Sequence, residues 1–398
     1  MAVSGRLVLI GFGEAYAAIE TAWSLRDAGF RVAVFTRSGE HPAVRRVRGV
    51  ELHEVAPPEK GVERTLEDLR SLIGKLEPDA FMPLDDASVL LSGALEGVTI
   101  AVTIAGPTGK RIEYALDKAL QVEAARAAGL LVPPTEIVTS AEELEVHEFP
   151  AFVKPARALY EVDDRLTRPT GTVVADDEEL DRARAAEWHP PLLVQPLLEG
   201  VGEGVFGLVT KNGVTALSGH RRVRMLNPQG SASSACESIA VDEKLVAPVE
   251  RFVTSIGWSG LFMVELLRDA EGRAWFMELN GRAWGSMALA RRRGFEYPAW
   301  TVQAALDPDF VPVVPTDPPE ILARHLGMEL AHLAFVVRGP QSKALGSWPK
   351  LWPTIRAMTR TSRRNRLYNW RRSEPDVLAA DTWSFIRFFA GRMLRSGQ

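Results

Sequence analysis

The 398-residue chain has almost no cysteine: Cys236 stands alone, which excludes a disulfide framework and a cysteine-built zinc site. Its seven histidines are scattered and none forms an HxxxH pair. Chemistry must therefore rest on carboxylates, Lys, Arg or a bound cofactor. No run of about 18 apolar residues occurs, and the apolar stretch near Met1 is interrupted at Arg6 and too short for a secretory signal core. A cytoplasmic location is the expectation. No internal repeat and no Ser/His/Asp or Cys/His arrangement stands out. What is present is an ordinary globular composition, 46% hydrophobic and 25% charged, long enough for about two to four domains. The net charge of −4 hides an asymmetry, since residues 320–398 carry 14 Lys and Arg against 5 Asp and Glu.

Apolar periodicity gives the organisation. Arg6 to Ile10 reads as a strand, GFGEAYAA as a turn, Ile19 to Ala28 as a helix closed at Gly29, and RVAVFT as a second strand, a βαβ opening. LEDLRSLIGKL, DAFMPLDD and VTIAVTIAGPT extend a parallel α/β layer, predicted to end near Thr108. Ile112 to Ala128 reads as one helix closed by Gly129, before the stiff connector Val132-Pro-Pro-Thr135. FPAFVKPA, GTVVADD and PLLVQPLL read as strands, EELDRARAAEW as a helix, and Gly200, Gly202, Gly204 and Gly207 as a glycine-rich turn. Two hairpins follow, one turning at Lys211-Asn212-Gly213, where Asn-Gly suits the positive φ of a tight turn, and one near Asp269 to Gly272. The proline-rich 311–319 stretch opens a mainly helical, arginine-rich segment. The expected units are 1–108, 109–192, 193–310 and 311–398.

Three acceptors stand out. Glu265 sits on one strand of the second hairpin, and Glu278 and Asn280, two apart on the other, share a face. Their apolar surroundings call for neutralisation, and Mg²⁺ suits oxygen ligands completed by water and nucleotide phosphates. Lys118 falls on a helix, and Lys154 interrupts the apolar strand PAFVKPA, where phosphate oxygens explain a point charge better than water does. Gly11-Phe-Gly13-Glu-Ala-Tyr16 occupies a dinucleotide-fingerprint position, with Tyr16 replacing the third glycine and Arg37 placed to meet a 2′-phosphate. NADP binding stays an alternative to a glycine turn that only packs helix on sheet. Asp85 and Asp86 either bind a substrate amine or cap the following helix.

In order and spacing these segments resemble the ATP-grasp superfamily, in particular a carboxylate-amine-ligase-like branch. Asp117-Lys118, FVKP, Val194-Gln195-Pro-Leu-Leu198, HRRVRMLNPQGSASSACES and MELNGRAWGSMALA carry the likeness over about residues 1–310. The resemblance implies an α/β and α+β multidomain chain: a Rossmann-like pre-domain, an ATP-grasp fold of two α+β subdomains, and a helical basic C-terminal extension. It implies ATP contacts from Lys118 and Lys154, adenine contacts from the backbone of Gln195, Pro196, Leu197 and Leu198, and Glu203 as a ribose carboxylate. Glu265, Glu278 and Asn280 would hold Mg²⁺, with two ions expected. Arg282 would stabilise the transferring phosphoryl group or acyl phosphate, with His220, Arg222 and Arg224 as candidates facing it. The implied activity is ATP-dependent joining of a carboxylate to an amine. Alternatives are an NADP-dependent oxidoreductase or a non-catalytic ATP-binding module.

Seven arginines between Arg356 and Arg372, interleaved with Tyr368 and Trp370, suit either docking on the acidic body or an anionic surface. Docking is the favoured reading, nucleic acid is not expected, and membrane-surface contact and a homodimer stay open. Trp383, Ile386, Phe389, Ala390, Met393 and Leu394 are expected on one packed face of a terminal helix, with Arg387, Arg392 and Arg395 elsewhere.

Overall fold

The computed structural model describes residues 5–95, 102–230, 232–340, 348–360 and 362–395, with side chains up to residue 389. Its first layer is a five-stranded sheet. β1 (Leu7–Gly11), α1 (Ala18–Asp27), β2 (Arg31–Arg37), β3 (Val50–Val55), α2 (Val62–Leu76), β4 (Ala80–Pro83), α3 (Asp86–Leu95) and β5 (Thr103–Ile104) follow in chain order. The strands run parallel in the order β3-β2-β1-β4-β5. Every residue of β1 is buried, as a central parallel strand covered on both faces requires. α2 buries Val62, Thr65, Leu69 and Ile73, a three-to-four-residue period that seats one face on the sheet. Most of VTIAVTIAGPT that precedes β5 lies outside the described residues.

The helix expected over 112–128 is two helices, α4 (Lys110–Leu116) and α5 (Lys118–Ala127). Asp117 lies between them with an extended backbone, and its carboxylate accepts from the N–H groups of Ala119 and Leu120. A side-chain cap that satisfies the opening amides of α5 competes with helix continuation at that residue.

A smaller sheet, ordered β10-β7-β11-β6, is built from β6 (Glu136–Val138), β7 (Ala151–Pro155), β10 (Thr172–Val174) and β11 (Leu192–Pro196), with α6 (Asp177–Arg184) between the last two strands. The hairpin of β8 (Tyr160–Val162) and β9 (Arg165–Thr167) leaves this sheet and docks on the first layer. Leu166 joins the Leu9, Phe35 and Phe81 core, and Val62 N–H donates to Asp164 O over 2.8 Å.

The third sheet is ordered β16-β15-β12-β13-β14-β17-β18. It contains β12 (Val201–Thr210), β13 (Gly213–Met225), β14 (Ser233–Ile239), β15 (Gly260–Arg268), β16 (Ala274–Asn280), β17 (Leu322–Arg324) and β18 (Asn365–Leu367), with α7 (Glu243–Ser255) before β15 and α8 (Met287–Arg292) and α9 (Tyr297–Leu306) after β16. Both expected hairpins are present. The glycine-rich turn is not a turn: Gly202, Gly204 and Gly207 lie within β12. A Cβ would meet Arg222 Cδ at 2.5 Å on Gly202 and His220 Nε2 at 2.8 Å on Gly204. These glycines clear a strand surface for larger neighbours.

The C-terminal segment is less purely helical than expected, because β17 and β18 extend the third sheet. α10 (Leu326–Arg338), α11 (Leu351–Thr359) and α12 (Pro375–Arg395) surround them. Glu374, 2% exposed, accepts from Trp23, Arg26 and the Arg48 N–H, while Arg371 pairs with Asp27. These contacts tie the segment to α1. Arg364 pairs with Glu320, whereas Arg356, Arg360, Arg363, Arg366 and Arg372 are exposed. The expected packed face of α12 is met in part: Phe389 packs with Phe385 against Met328 and Ala331, whereas Trp383 is 62% exposed. Packing against α10 decides the buried stripe; the side chains of Ala390, Arg392, Met393, Leu394 and Arg395 lie outside the described residues. Among the described residues no helix is long and apolar enough to cross a membrane.

Candidate active site

The antiparallel register of β15 and β16 sets Glu265 opposite Glu278 and Met263 opposite Asn280. The two-residue period brings Glu278 and Asn280 to one face, where Asn280 Nδ2 donates to Glu278 Oε1 over 3.3 Å. Lys118 reaches the same carboxylate, Nζ to Oε2 3.6 Å. The break at Asp117 aims it there, and the Lys118 N–H donates to Ala156 O. Gln121, one turn on, locks α5 to the hairpin: its Nε2 donates to Leu279 O over 3.2 Å and its Oε1 accepts from Leu279 N–H over 2.9 Å.

A cavity of about 230 Å³ lies between these elements, lined among others by Lys118, Lys154, Arg168, Asp86, Glu278 and Arg282. Asp86 is the hinge of its charge pattern. It accepts from Arg282 Nε over 3.0 Å and lies 2.8 Å from Arg168 Nη1. Burial would raise the Asp86 carboxyl, yet Arg282 and Arg168 pull it down to about 2. Asp85 takes the capping role instead, with Oδ1 accepting from the Ser88 N–H over 2.8 Å.

A second chamber of about 200 Å³ shares Glu278, Asn280 and Arg282 and adds Tyr16, His220, Arg222, Glu265 and Ser286. Arg222 Nη2 is 2.6 Å from Glu265 Oε1. His220 Nδ1 and Ser286 Oγ are 2.9 Å apart, and His220 Nε2 is buried without a hydrogen-bond partner. Burial, helped by Arg222, pushes the imidazole down to about 3. His220 is therefore a neutral polar group, not a cation.

The carboxylates and lysines perturb one another. Burial, opposed by Arg222 and reinforced by Glu278, leaves Glu265 above the ordinary carboxylate value. Burial would raise Glu278 as well, but Lys118, Lys154 and Arg282 hold it low. Burial and the neighbouring Lys118 depress Lys154 to about 8, against the pull of Glu278 and Glu265. Two half-buried acids facing each other, flanked by cations, form a hard-oxygen donor set that fits Mg²⁺ when nucleotide phosphates and water complete it. Among the described residues no cluster of three His, Cys, Asp or Glu exists that could hold a metal by itself.

Several expected site residues lie elsewhere. Arg224 pairs with Glu329, 1% exposed and also held by Arg324, so it is committed to the β17–α10 junction. Glu203 is 2% exposed and bound by Arg221 and Arg268, because it falls on the face of β12 opposite Gly204; it is not placed to meet a ribose. Gln195 donates to Thr135 Oγ1 over 2.8 Å, and the Leu197 N–H to Pro150 O over 2.9 Å. Gln195, Pro196, Leu197 and Leu198 are not among the residues lining the lysine cavity. Arg37, expected to suit a 2′-phosphate, is enclosed by Glu14, Glu59 and Asp85, and Glu14 accepts from the Arg37 N–H. Three carboxylates already meet its charge, and they repel an incoming phosphate. Arg168 and Gln121 entered the site without being singled out by sequence, where Tyr16 stands out only as a departure from a glycine fingerprint and Ser286 only as part of the MELNGRAWGSMALA segment.

No family model and no curated protein matches the chain. Among solved structures, N5-carboxyaminoimidazole synthetase from Staphylococcus aureus aligns with TM-score 0.64 and 15% identity, over 90% of this chain and 97% of that one. The L-amino acid ligase from Bacillus licheniformis gives TM-score 0.59 and 18% identity over 77% and 75% of the two chains. The biotin carboxylase domain of the Hydrogenobacter thermophilus 2-oxoglutarate carboxylase, in complex with MgADP and bicarbonate, gives 0.61 and 16% over 79% and 72%. At these identities the likeness is one of fold.

Proposed function

We propose that this chain, which has the ATP-grasp fold, is an ATP-dependent ligase that joins a carboxylate to an amine through an acyl phosphate. The observation that carries the reading is the convergence of Lys118, Lys154, Arg168 and Arg282 on Glu278 and Asn280 in one cavity, with a second chamber beyond the same Arg282. A nucleotide triphosphate supplies the negative charge that the lysines and arginines lack, and a carboxylate substrate fits the Arg222 and Arg282 side.

Lys118 and Lys154 bind the nucleotide phosphates. Glu265, Glu278 and Asn280 would hold Mg²⁺, two ions in this reading, whose charge neutralises the phosphates when bound. In the first step a carboxylate oxygen attacks the γ-phosphorus and ADP leaves, while Arg282, fixed by Asp86, faces the equatorial oxygens. In the second, the amine nitrogen attacks the acyl carbon and phosphate leaves. The substrate ammonium sheds two protons, one to the departing phosphate and one to solvent. Neutral His220 and Ser286 line the acyl side and offer hydrogen bonds without adding charge. Arg222 neutralises Glu265 and faces the substrate carboxylate. The Arg168 bridge to Asp86 draws the loop before β10 over the cavity, which shields an acyl phosphate from water.

Screening acid and amine pairs for ADP release tests the reading. Release dependent on both substrates supports it; tight MgATP binding with no release for any pair makes the chain a nucleotide-binding module instead. Binding of NADPH in preference to MgATP, seen by calorimetric titration, refutes it.

A further inference from the structure

A third cavity, of about 390 Å³, lies outside the site described above. The loop after β1, the 3-10 turn at 43–46 and helix α12 enclose it. Its wall is mainly apolar, with Tyr16, Ile19, Pro42, Val44, Phe385 and Phe388 contributing. Tyr16 and Phe388 are 47% and 60% exposed, so an apolar occupant would remove two aromatic surfaces from water.

Its polar groups select for charge. Glu40 and Asp381 contribute carboxylates, His41 an imidazole, and the charge of its one arginine, Arg37, is met by Glu14, Glu59 and Asp85. His325 Nδ1 accepts from the Met328 N–H over 3.3 Å, which leaves its proton on Nε2, 3.2 Å from Asp381 Oδ2. The histidine thus orients Asp381 and leaves its second oxygen for a ligand. An anionic ligand meets repulsion here, and an ammonium meets a fixed acceptor.

The cavity backs onto the chamber that holds Arg222 and Arg282. Tyr16 lines both, and Met328, which lines the chamber, packs on Phe385, which lines the cavity. The Phe385 ring lies 6.4 Å from Tyr16 and 5.5 Å from His325, so the His325–Asp381 pair sits on the side nearest that partition.

From this juxtaposition we infer that the cavity binds a primary amine with an aromatic or branched apolar body, its ammonium on Asp381. Within the ligase reading above, on which this assignment of role rests, the ligand is the acceptor, and its nitrogen passes Tyr16 to reach the acyl phosphate. The helix α12 then sets acceptor specificity.

Phenethylamine, phenylacetate and ethylamine separate the body of the ligand from its charge. Calorimetry or saturation-transfer NMR on the full chain is expected to show phenethylamine bound at least about tenfold more tightly than either of the others. Asp381→Asn should erase the preference over phenylacetate. Ser384→Trp, which fills the cavity from α12, should weaken phenethylamine by a similar factor, with the melting temperature and MgATP affinity of both variants kept. Equal binding of phenethylamine and phenylacetate to the wild type overturns the inference, as does wild-type binding by both folded variants. Selective phenethylamine binding in a protein that releases no ADP with any acid and amine pair upholds the amine site and refutes the ligase reading alone.

Discussion

Lys154 gives the sharpest test, because the same side chain should weaken the fold and strengthen nucleotide binding. Burial and Lys118 bring its ammonium from 10.5 to about 8 even though Glu278 and Glu265 pull the other way. That depression corresponds to about 3 kcal/mol. Between pH 8 and 10.5 the unfolded chain binds the proton that the folded chain has released, so stability rises with pH across this window. Below pH 8 the full cost persists. Lys154→Met keeps the stem beside Phe152, removes the charge, and should stabilise the ligand-free protein at pH 7 by up to about 3 kcal/mol. The same change should weaken a non-hydrolysable ATP analogue by at least about tenfold, since a charge-assisted phosphate contact is lost. Wild-type affinity should also fall as pH rises through 8, because phosphates favour the protonated ammonium; the variant should show no such slope. Thermal melts from pH 7 to 10.5 and calorimetric titrations measure both effects. A Lys154→Met protein that melts at or below wild type at pH 7, or that binds the analogue as wild type does, refutes the reasoning.

Glu278→Gln should reduce ADP formation by at least about a hundredfold in a folded protein and shift Mg²⁺ titrations to higher concentration, because one of two facing anions is lost. Near-wild-type turnover would sink the metal assignment. Gly204→Ala places a Cβ 2.8 Å from His220 Nε2, and displacing the ring should cost about 1–3 kcal/mol in a denaturant melt; an unchanged midpoint counts against the packing argument. Deleting residues 375–398 uncovers Met328 and Ala331 and removes the buried Val377 and Phe385, which should cost about 3–6 kcal/mol. A truncated chain that keeps its melting temperature contradicts docking of the tail.

Local chemistry in the sequence determined the parts of this molecule that depend on neighbours in the chain. Asn212-Gly213 set one hairpin, and the spacing of Glu278 and Asn280 put both on one face of a strand, because a pleat alternates every two residues. The placement of Lys154 in an apolar strand carried the phosphate reading, and the order of segments carried the fold. The break at Asp117 was legible as an Asp cap, yet helical periodicity on both sides masked it. Tertiary structure decided which charges are free. Nothing in HRRVR shows that Arg222 faces Glu265 while Arg224 is consumed by Glu329, since Glu329 arrives from α10, more than a hundred positions away. Asp86 became the anchor of Arg282 and Arg168 for the same reason: three distant elements meet there, and charge pairing across such distances leaves no periodic trace. The glycines of β12 read as a turn because glycine permits turns; only the packed sheet showed that they make room for Arg222 and His220. Short strands such as β17 and β18 are held by the partner strand, not by their own three residues, so their place in the sheet belonged to the fold alone.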